Sequence, residues 1–222
     1  MRTKSPLRLA AAFAVFSLAA GAGAALPARA AGPDAPSADA SPAALLAEVR
    51  RSFTLHGKPI PPEIFRDLGD GDIADSGSIW VTVDVAAAIG SNLYYDDIKQ
   101  NGDWVIQTKT RQKDTDDWQQ TGYKFIGATD SGLLVAIATY NGGGSGTFIT
   151  LHILDVAAAR AFDLEGKLYR RINLTAVRSV ILGDRWDGDV RISGNAIRIV
   201  TTRNGPADEA PRAPVTITAT RP

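Results

Sequence analysis

The glycine-rich segment YNGGGSGTF, residues 140–148, is the stretch of this chain whose composition comes nearest to a binding or catalytic motif. A phosphate-binding loop needs a lysine after its glycines, and a dinucleotide-binding loop needs a helix there. The nucleophile elbow of a hydrolase, G-x-S-x-G, also leads into a helix. Around Ser145, Thr147 replaces the second glycine of that form, no lysine is present, and a strand pattern follows. We therefore predict a hairpin loop whose backbone N–H groups can approach a ligand.

The sequence offers little for nucleophilic or metal chemistry. It has two histidines and no cysteine, which excludes cysteine nucleophiles and cysteine-based metal sites. A triad of Ser145, His152 and Asp155 fails on geometry, because Asp155 lies an odd number of residues from His152 and points to the opposite face of a strand. His56 is expected at the polar end of the first helix. We assign no catalytic residue, no metal ligand and no cofactor.

Acidic residues cluster at Asp67, Asp70, Asp72 and Asp75. An EF-hand loop that starts at Asp70 would need an oxygen ligand at its fifth position and a glutamate at its twelfth, but Ala74 and Val81 stand there. We predict a solvated turn, with a weak irregular calcium site as the alternative. The segment KDTDDW, residues 113–118, is also predicted to be an acidic loop.

Aromatic residues beside polar ones form the remaining candidate site. Aromatic side chains flanked by Asp, Asn and Gln can stack on sugar rings and bind their hydroxyl groups, and concave sites favour such mixtures. The alternative is that these rings belong to a second packed layer of the fold. The candidate ligand-binding residues are Trp80, Asp117, Trp118, Tyr140, Asn141 and Ser145.

The element that opens the fold is predicted to be a helix. Ser41 can cap it and Pro42 suits its first position. One stripe of this helix is apolar and contains Leu45, Leu46, Val49 and Phe53. Prolines at 59, 61 and 62 then predict an extended turn, followed by one helical turn at Glu63–Asp67.

From residue 78 onwards the apolar period changes from helical to two. In SIWVTVDV, residues 78–85, Ile79, Val81, Val83 and Val85 share one face. Further strands are predicted in DWVIQTKTR, WQQTGYKFIG, GLLVAIATY and TFITLHILDV. VAAARAF, residues 156–162, is the only later segment predicted to form a helical turn or short helix.

The segment DVRISGNAIRIV, residues 189–200, predicts a hairpin with a two-residue loop at Gly194-Asn195. The opposed pairs are Ser193 with Ala196, Ile192 with Ile197, Arg191 with Arg198, and Val190 with Ile199. The apolar pairs then share one face, which a shifted register would not achieve. The two opposed arginines need an acid or an anion beside them, and Asp184, Asp187 and Asp189 are near in sequence.

These elements predict a mainly β fold: an antiparallel β-sandwich or half-open barrel, with one N-terminal amphipathic helix that covers an open end or face. The single β-rich domain is predicted over residues 42–202. Residues 31–41 are expected to be a disordered leader. Residues 203–222 are expected to be a Pro-rich tail with a possible edge strand at Val215–Thr220.

The first thirty residues are typical of a secretory signal peptide. Arg2, Lys4 and Arg8 precede an apolar run too short to span a membrane, and an A-x-A pattern ends at Ala30, where we predict cleavage. Cleavage would lower the formal net charge from 0 to −4, because four cations and no acids are removed. A mildly acidic chain is not expected to bind nucleic acid. We expect a periplasmic or secreted protein without a stable membrane span.

Several segments together resemble a group of uncharacterised secreted bacterial proteins. They are FTLHGKPIPPEIF, VTVDVAAAIGSN, GYKFIGATDSGLLVAIATYNGGGSGTF and LGDRWDGDVRISGN, over about Phe53–Asn195. In that group the GK-x-I-x-P and GGGSG pieces recur. The resemblance implies export and one domain, and it implies no activity.

Two hypotheses about function follow. The first is a binding or interaction module in the bacterial envelope or outside the cell, whose partner is a small molecule, a glycan or an envelope protein. The second is a hydrolase of a cell-wall or extracellular polymer that uses a carboxylate pair, with Asp84, Asp117 or Asp155 as conceivable members. No such pair can be chosen from spacing, so the binding module is ranked first.

Overall fold

The computed structural model describes residues 41–68, 81–90, 97–110, 118–203 and 213–221. The predicted signal peptide, all of the leader before Ser41, and the acidic run beyond Leu68 lie outside these residues. So do Trp80, Asp117 and the rest of the predicted acidic loop before Trp118.

The chain opens with helix α1, Pro42–Ser52, as predicted. The Ser41 hydroxyl oxygen accepts a hydrogen bond from the Ala44 N–H at 3.2 Å, so the predicted N-cap is confirmed. The helix ends at its C-cap residue Phe53, which has a left-handed backbone (φ 54°) and whose N–H donates to the Val49 carbonyl. The Phe53 ring is fully buried, which makes the C-cap residue part of the core.

A short turn then carries the chain onto the sheet through β1, Thr54–Leu55, and β2, Lys58–Pro59. The buried carboxylate of Glu48 in α1 fastens this turn, because it accepts hydrogen bonds from the backbone N–H groups of His56 and Gly57 at 3.2 and 2.7 Å. The predicted helical turn is confirmed as α2, Ile64–Asp67.

The largest element is a seven-stranded antiparallel sheet in the order β3-β9-β8-β7-β6-β5-β4. Its strands are β3 Thr82–Asp84, β4 Lys99–Asn101, β5 Trp104–Thr110, β6 Trp118–Ala128, β7 Leu134–Asn141, β8 Phe148–Phe162 and β9 Leu168–Asp184. Helix α3, Val85–Gly90, follows β3 directly. Neighbouring strands are mostly consecutive in the chain, so short hairpin loops join most of the sheet.

A second, three-stranded sheet contains β10 Asp187–Ser193, β11 Ala196–Arg203 and β12 Val215–Thr218. All four predicted pairs of the β10–β11 hairpin are confirmed. Asp189 lies 2.6 Å from the Arg191 Nε and neutralises one of the two opposed arginines. β12 pairs with β11 at the edge of this sheet, and Ile217 and Ala219 are buried. The fold therefore includes residues from the segment that the sequence indicated as a tail.

Each face of the seven-stranded sheet has its own apolar core. On the face that we call the helix face, Val49 and Phe53 of α1 and Phe65 of α2 pack over Tyr123 and Leu154. On the opposite face, here called the sandwich face, the three-stranded sheet packs its isoleucines over Val135, Leu151 and Ile153. The predicted mainly β, antiparallel fold with a helix over one face is confirmed, and of the two arrangements left open the packing is sandwich-like.

Two local predictions are corrected. VAAARAF, residues 156–162, is not helical: it is the outer half of β8, and its residues pair one by one with β9 from Val156↔Leu174 to Phe162↔Leu168. The predicted strand at 78–85 keeps its alternation, since Val81, Val83 and Val85 pack in the helix-face core. Its described strand is only Thr82–Asp84, because Val85 begins α3.

In the part of the chain that the structure describes, the helices are too short to cross a lipid bilayer.

Candidate ligand-binding site

The glycine-rich loop joins β7 to β8, as predicted, at one end of the seven-stranded sheet. The Asn141 side chain accepts from the Gly143 N–H at 2.8 Å. The Thr147 N–H donates to an Asp184 carboxylate oxygen at 2.7 Å. The Arg185 N–H donates to the Thr147 carbonyl at 2.8 Å, and the Arg185 guanidinium donates to the Ser145 carbonyl. These bonds attach the loop to the connection between β9 and β10, so it is a fixed rim rather than a loose bend.

Gly143 is the loop position where only glycine fits. Its φ is 99°, and an added Cβ would lie 2.9 Å from the Trp118 carbonyl oxygen. We expect Gly143→Ala to lower the free energy of unfolding by about 2 kcal/mol, as measured by urea denaturation. The matched control is Gly144→Ala, because an added Cβ there meets no atom within 4 Å. Equal stability of the two variants would contradict this account of the loop.

The structure separates the predicted site residues instead of gathering them. Tyr140 lies on the helix face, half-buried, with the Arg66 guanidinium carbon 5.1 Å from its ring centroid. Strand alternation places Asn141 and the exposed Trp118 on the sandwich face. Ser145 is exposed in the loop, and the described contact at that residue uses its carbonyl. The described members of the predicted set thus lie on different faces, and Trp80 and Asp117 lie outside the described residues.

A row of buried polar residues lies beside Tyr140, on the helix face of β5 and β6. We call Gln107, Gln119 and Thr121 the polar row. Gln107 is 1% exposed; its Oε1 accepts from the Glu63 N–H at 3.1 Å, while its Nε2 has no hydrogen-bond partner among the described residues. The Thr121 hydroxyl donates to the Pro62 carbonyl at 3.4 Å. Buried polar groups are costly unless paired, so their concentration here is informative.

Sequence reasoning missed the polar row, although a signal was present. Gln107 alternates in phase with Val105, and Gln119 and Thr121 alternate in phase with Tyr123. Because Val105 and Tyr123 are core residues, the glutamines and the threonine had to face the same covered side. The signal becomes visible only when one knows that this face carries a helix.

Exposed apolar side chains continue the same surface across β7, β8 and β9. Phe148 lies opposite Tyr140 and is 58% exposed, and Ile181 lies opposite Thr150 and is 61% exposed. We call Tyr140, Phe148 and Ile181 the apolar strip. The apolar strip is the exposed part of this face next to α2 and the glycine loop, and the buried polar row lies beside it on β5 and β6.

His152 lies in the same face but deeper in the core. Its Nδ1 is 3.0 Å from the Ser179 hydroxyl, and its ring packs against Phe65 at 5.1 Å. Burial lowers the pKa of His152 from 6.5 to about 4, so the ring is neutral at pH 7. The predicted opposition of His152 and Asp155 is confirmed, since Asp155 pairs with Arg221 at 2.7 Å outside this core.

The two described carboxylates considered for hydrolysis both serve structural contacts. Asp84 accepts from the Ala86 N–H at 3.1 Å at the start of α3 and from the Tyr169 hydroxyl at 3.4 Å. Asp155 binds Arg221. Over residues 41–68, 81–90, 97–110, 118–203 and 213–221, no group of three or more His, Asp or Glu side chains is placed to hold a metal ion.

Comparison of the chain with protein-family models, with curated proteins and with solved structures gives no match.

Proposed function

We propose that this protein is an exported binding module that takes a saccharide on the exposed apolar strip, next to the buried polar row. The observation that carries the proposal is the exchange of apolar for polar residues on one end of the helix face. Around Val105 and Tyr123 the covered face is apolar. Towards the end of the sheet that carries the glycine loop, the next positions on the same face of β5 and β6 are Gln107, Thr121 and Gln119. Gln107 and Thr121 bind the backbone of Glu63 and Pro62, but the Gln107 Nε2 is left without a hydrogen-bond partner among the described residues.

The chemistry of the surface fits a sugar. The Gln107 Nε2 carries two donors that have no partner among the described residues, and such donors suit the hydroxyl groups of a ligand. The exposed ring of Phe148 offers a flat apolar face of the kind on which the C–H face of a pyranose stacks. The Arg66 guanidinium lies over the Tyr140 ring, with its carbon 5.1 Å from the ring centroid, at the edge of this surface. The fixed glycine rim supplies backbone groups that a ligand can approach closely.

Binding is preferred to hydrolysis because hydrolysis needs two carboxylates at the surface, and the described candidates for such a pair are engaged elsewhere. Asp84 and Asp155 are engaged in structural contacts, and Asp117 lies outside the described residues. The carboxylate-hydrolase alternative therefore gains no specific support. Export is proposed from the basic, apolar and small-residue order of residues 1–30, with cleavage after Ala30.

The proposal is tested by titrating the chain from Ala31, which contains every described element, with neutral and acidic oligosaccharides that include peptidoglycan fragments. A ligand that binds only the folded state raises the melting temperature. Phe148→Ala is expected to weaken the bound saccharide about tenfold in calorimetry, because an exposed stacking ring is lost.

The control is Phe162→Ala, which removes an equally exposed phenylalanine from the other end of the same strand. It should bind the saccharide as the wild type does. If no saccharide raises the melting temperature, or if Phe148→Ala binds as tightly as the wild type, the proposed site is wrong.

A further inference from the structure

The hairpin of β8 and β9 extends beyond both cores. The last core residue of β8 is Val156, and the first of β9 is Ile172. The backbones of the residues between them pair with each other in a regular ladder that ends at Phe162↔Leu168, and the Tyr169 side chain also donates to Asp84. The Asp163 carboxylate accepts from the backbone N–H groups of Glu165 and Lys167 at 3.1 and 2.7 Å, so the turn is ordered. The protein thus presents a stiff projection.

The apex of this projection is apolar. Leu164 is fully exposed, Phe162 is 71% exposed, and Leu168 is 51% exposed. Single exposed apolar residues are ordinary on protein surfaces, but three at the end of one projection form a patch that folding does not use. We call Phe162, Leu164 and Leu168 the apolar apex.

Behind the apolar apex stands an uncompensated pair of cations. Arg160 and Arg170 are directly opposite each other, two residues behind Phe162 and Leu168 on the same face. Opposed like charges are destabilising. The other opposed pair, Arg191 and Arg198, has Asp189 at 2.6 Å, whereas Arg160 and Arg170 have no ion pair among the described residues. Within the described part of the chain, no acidic side chain pairs with either charge, which an external anion could then neutralise.

We infer that the apolar apex inserts into the interface of a membrane that carries anionic lipids, with Arg160 and Arg170 bound to the phosphate groups. The distances fit: two strand residues span about 7 Å, which is the depth to which amphipathic elements enter the boundary of headgroups and acyl chains. When the apolar tip enters the acyl chains, arginines at this distance behind it lie at the depth of the headgroups. Insertion is shallow, because the turn beyond Phe162 and Leu168 carries the charged Glu165 and Lys167, which limit how far the apex can enter.

A membrane is favoured over a protein partner because the patch is small. Stable protein interfaces bury about 800 Å² on each partner and use roughly 20 residues or more. The projection ends in three apolar side chains, which suffices for insertion but not for such an interface. The local charge also favours a membrane with anionic lipids. Residues 160–171 contain four cations and two acids, in a chain whose formal net charge is 0.

The test is cosedimentation of the chain from Ala31 with phosphatidylcholine vesicles, prepared with or without phosphatidylglycerol. The wild type is expected to bind the anionic vesicles. Leu164→Asp should weaken this binding about tenfold or more, because an inserted leucine is lost and a charge is added. The double variant Arg160→Gln and Arg170→Gln should weaken it roughly fivefold for each cation removed.

Val215→Ser is the control, since it changes an exposed apolar residue that lies outside the hairpin, and it should bind as the wild type does. Wild-type protein that stays in the supernatant with anionic vesicles would overturn the inference. Sedimentation of Leu164→Asp to the same extent as the wild type would overturn it as well. No saccharide enters this assay, so its outcome is independent of the proposed function.

Discussion

Phe53→Ala is expected to lower the free energy of unfolding by about 4 kcal/mol, the largest effect expected of any single substitution proposed for this fold. The Phe53 ring is fully buried at the end of α1, where three aromatic rings surround it. Its centroid lies 6.1 Å from Phe65, 5.1 Å from Tyr123 and 5.2 Å from Phe125. Truncation would remove the contacts that join α1, α2 and β6, and a rigid sheet cannot close the resulting cavity.

Urea denaturation measures this effect, and Phe162→Ala is the matched control because its ring is exposed beyond the core. We expect the control to change stability by about 0.5 kcal/mol or less. A loss of similar size in both variants would mean that the aromatic cluster does not hold the helix layer on the sheet.

Lowering the pH is expected to destabilise the protein through His152, by about 3 kcal/mol once the pH is below 4. The folded-state pKa of His152 is lowered to about 4 by burial, whereas the unfolded value is near 6.5. Between these two values the unfolded chain takes up a proton that the folded chain does not. The neutral ring therefore contributes its full stability above pH 6.5, and that stability is lost as the pH falls towards 4.

The measurement compares urea denaturation at about pH 7 and about pH 4.5 for the wild type and His152→Gln. Carboxylates titrate in both proteins, so the difference between the two pH dependences isolates His152. His56→Gln is the control, because His56 is exposed in the turn between β1 and β2 and should leave the pH dependence unchanged. If His152→Gln loses as much stability as the wild type on acidification, His152 is not the group responsible.

Local patterns predicted local structure well. The capped helix at Ser41, the helical turn before Asp67 and the register of the β10–β11 hairpin depend on residues close in sequence, and all are confirmed. VAAARAF was wrongly assigned because alanine-rich segments favour helix locally. This segment is a strand because it pairs with β9, whose residues supply every backbone partner of that half of β8.

The candidate site could be predicted only in part. The glycine-rich segment was correctly predicted to be a hairpin loop, and Tyr140 stands at its start. Trp118 and Asn141 were grouped with Tyr140 because they are near it in the sequence or the sheet, yet strand alternation turns them to the other face. The polar row went unrecognised, because its meaning depends on Pro62 and Glu63 covering it from far away in the chain.

The sequence by itself determined the mainly β class, the opening helix, the glycine hairpin and the absence of cysteine chemistry, because each depends on composition or on neighbours within a few residues. Only the tertiary structure decided three other features: one sheet separates two cores, β12 pairs with β11 at the edge of the smaller sheet, and Gln107 lies beside Thr121. Those features depend on which face of a strand is covered, and by what. Alternation shows that the two faces differ, but it does not identify the element that packs on either one.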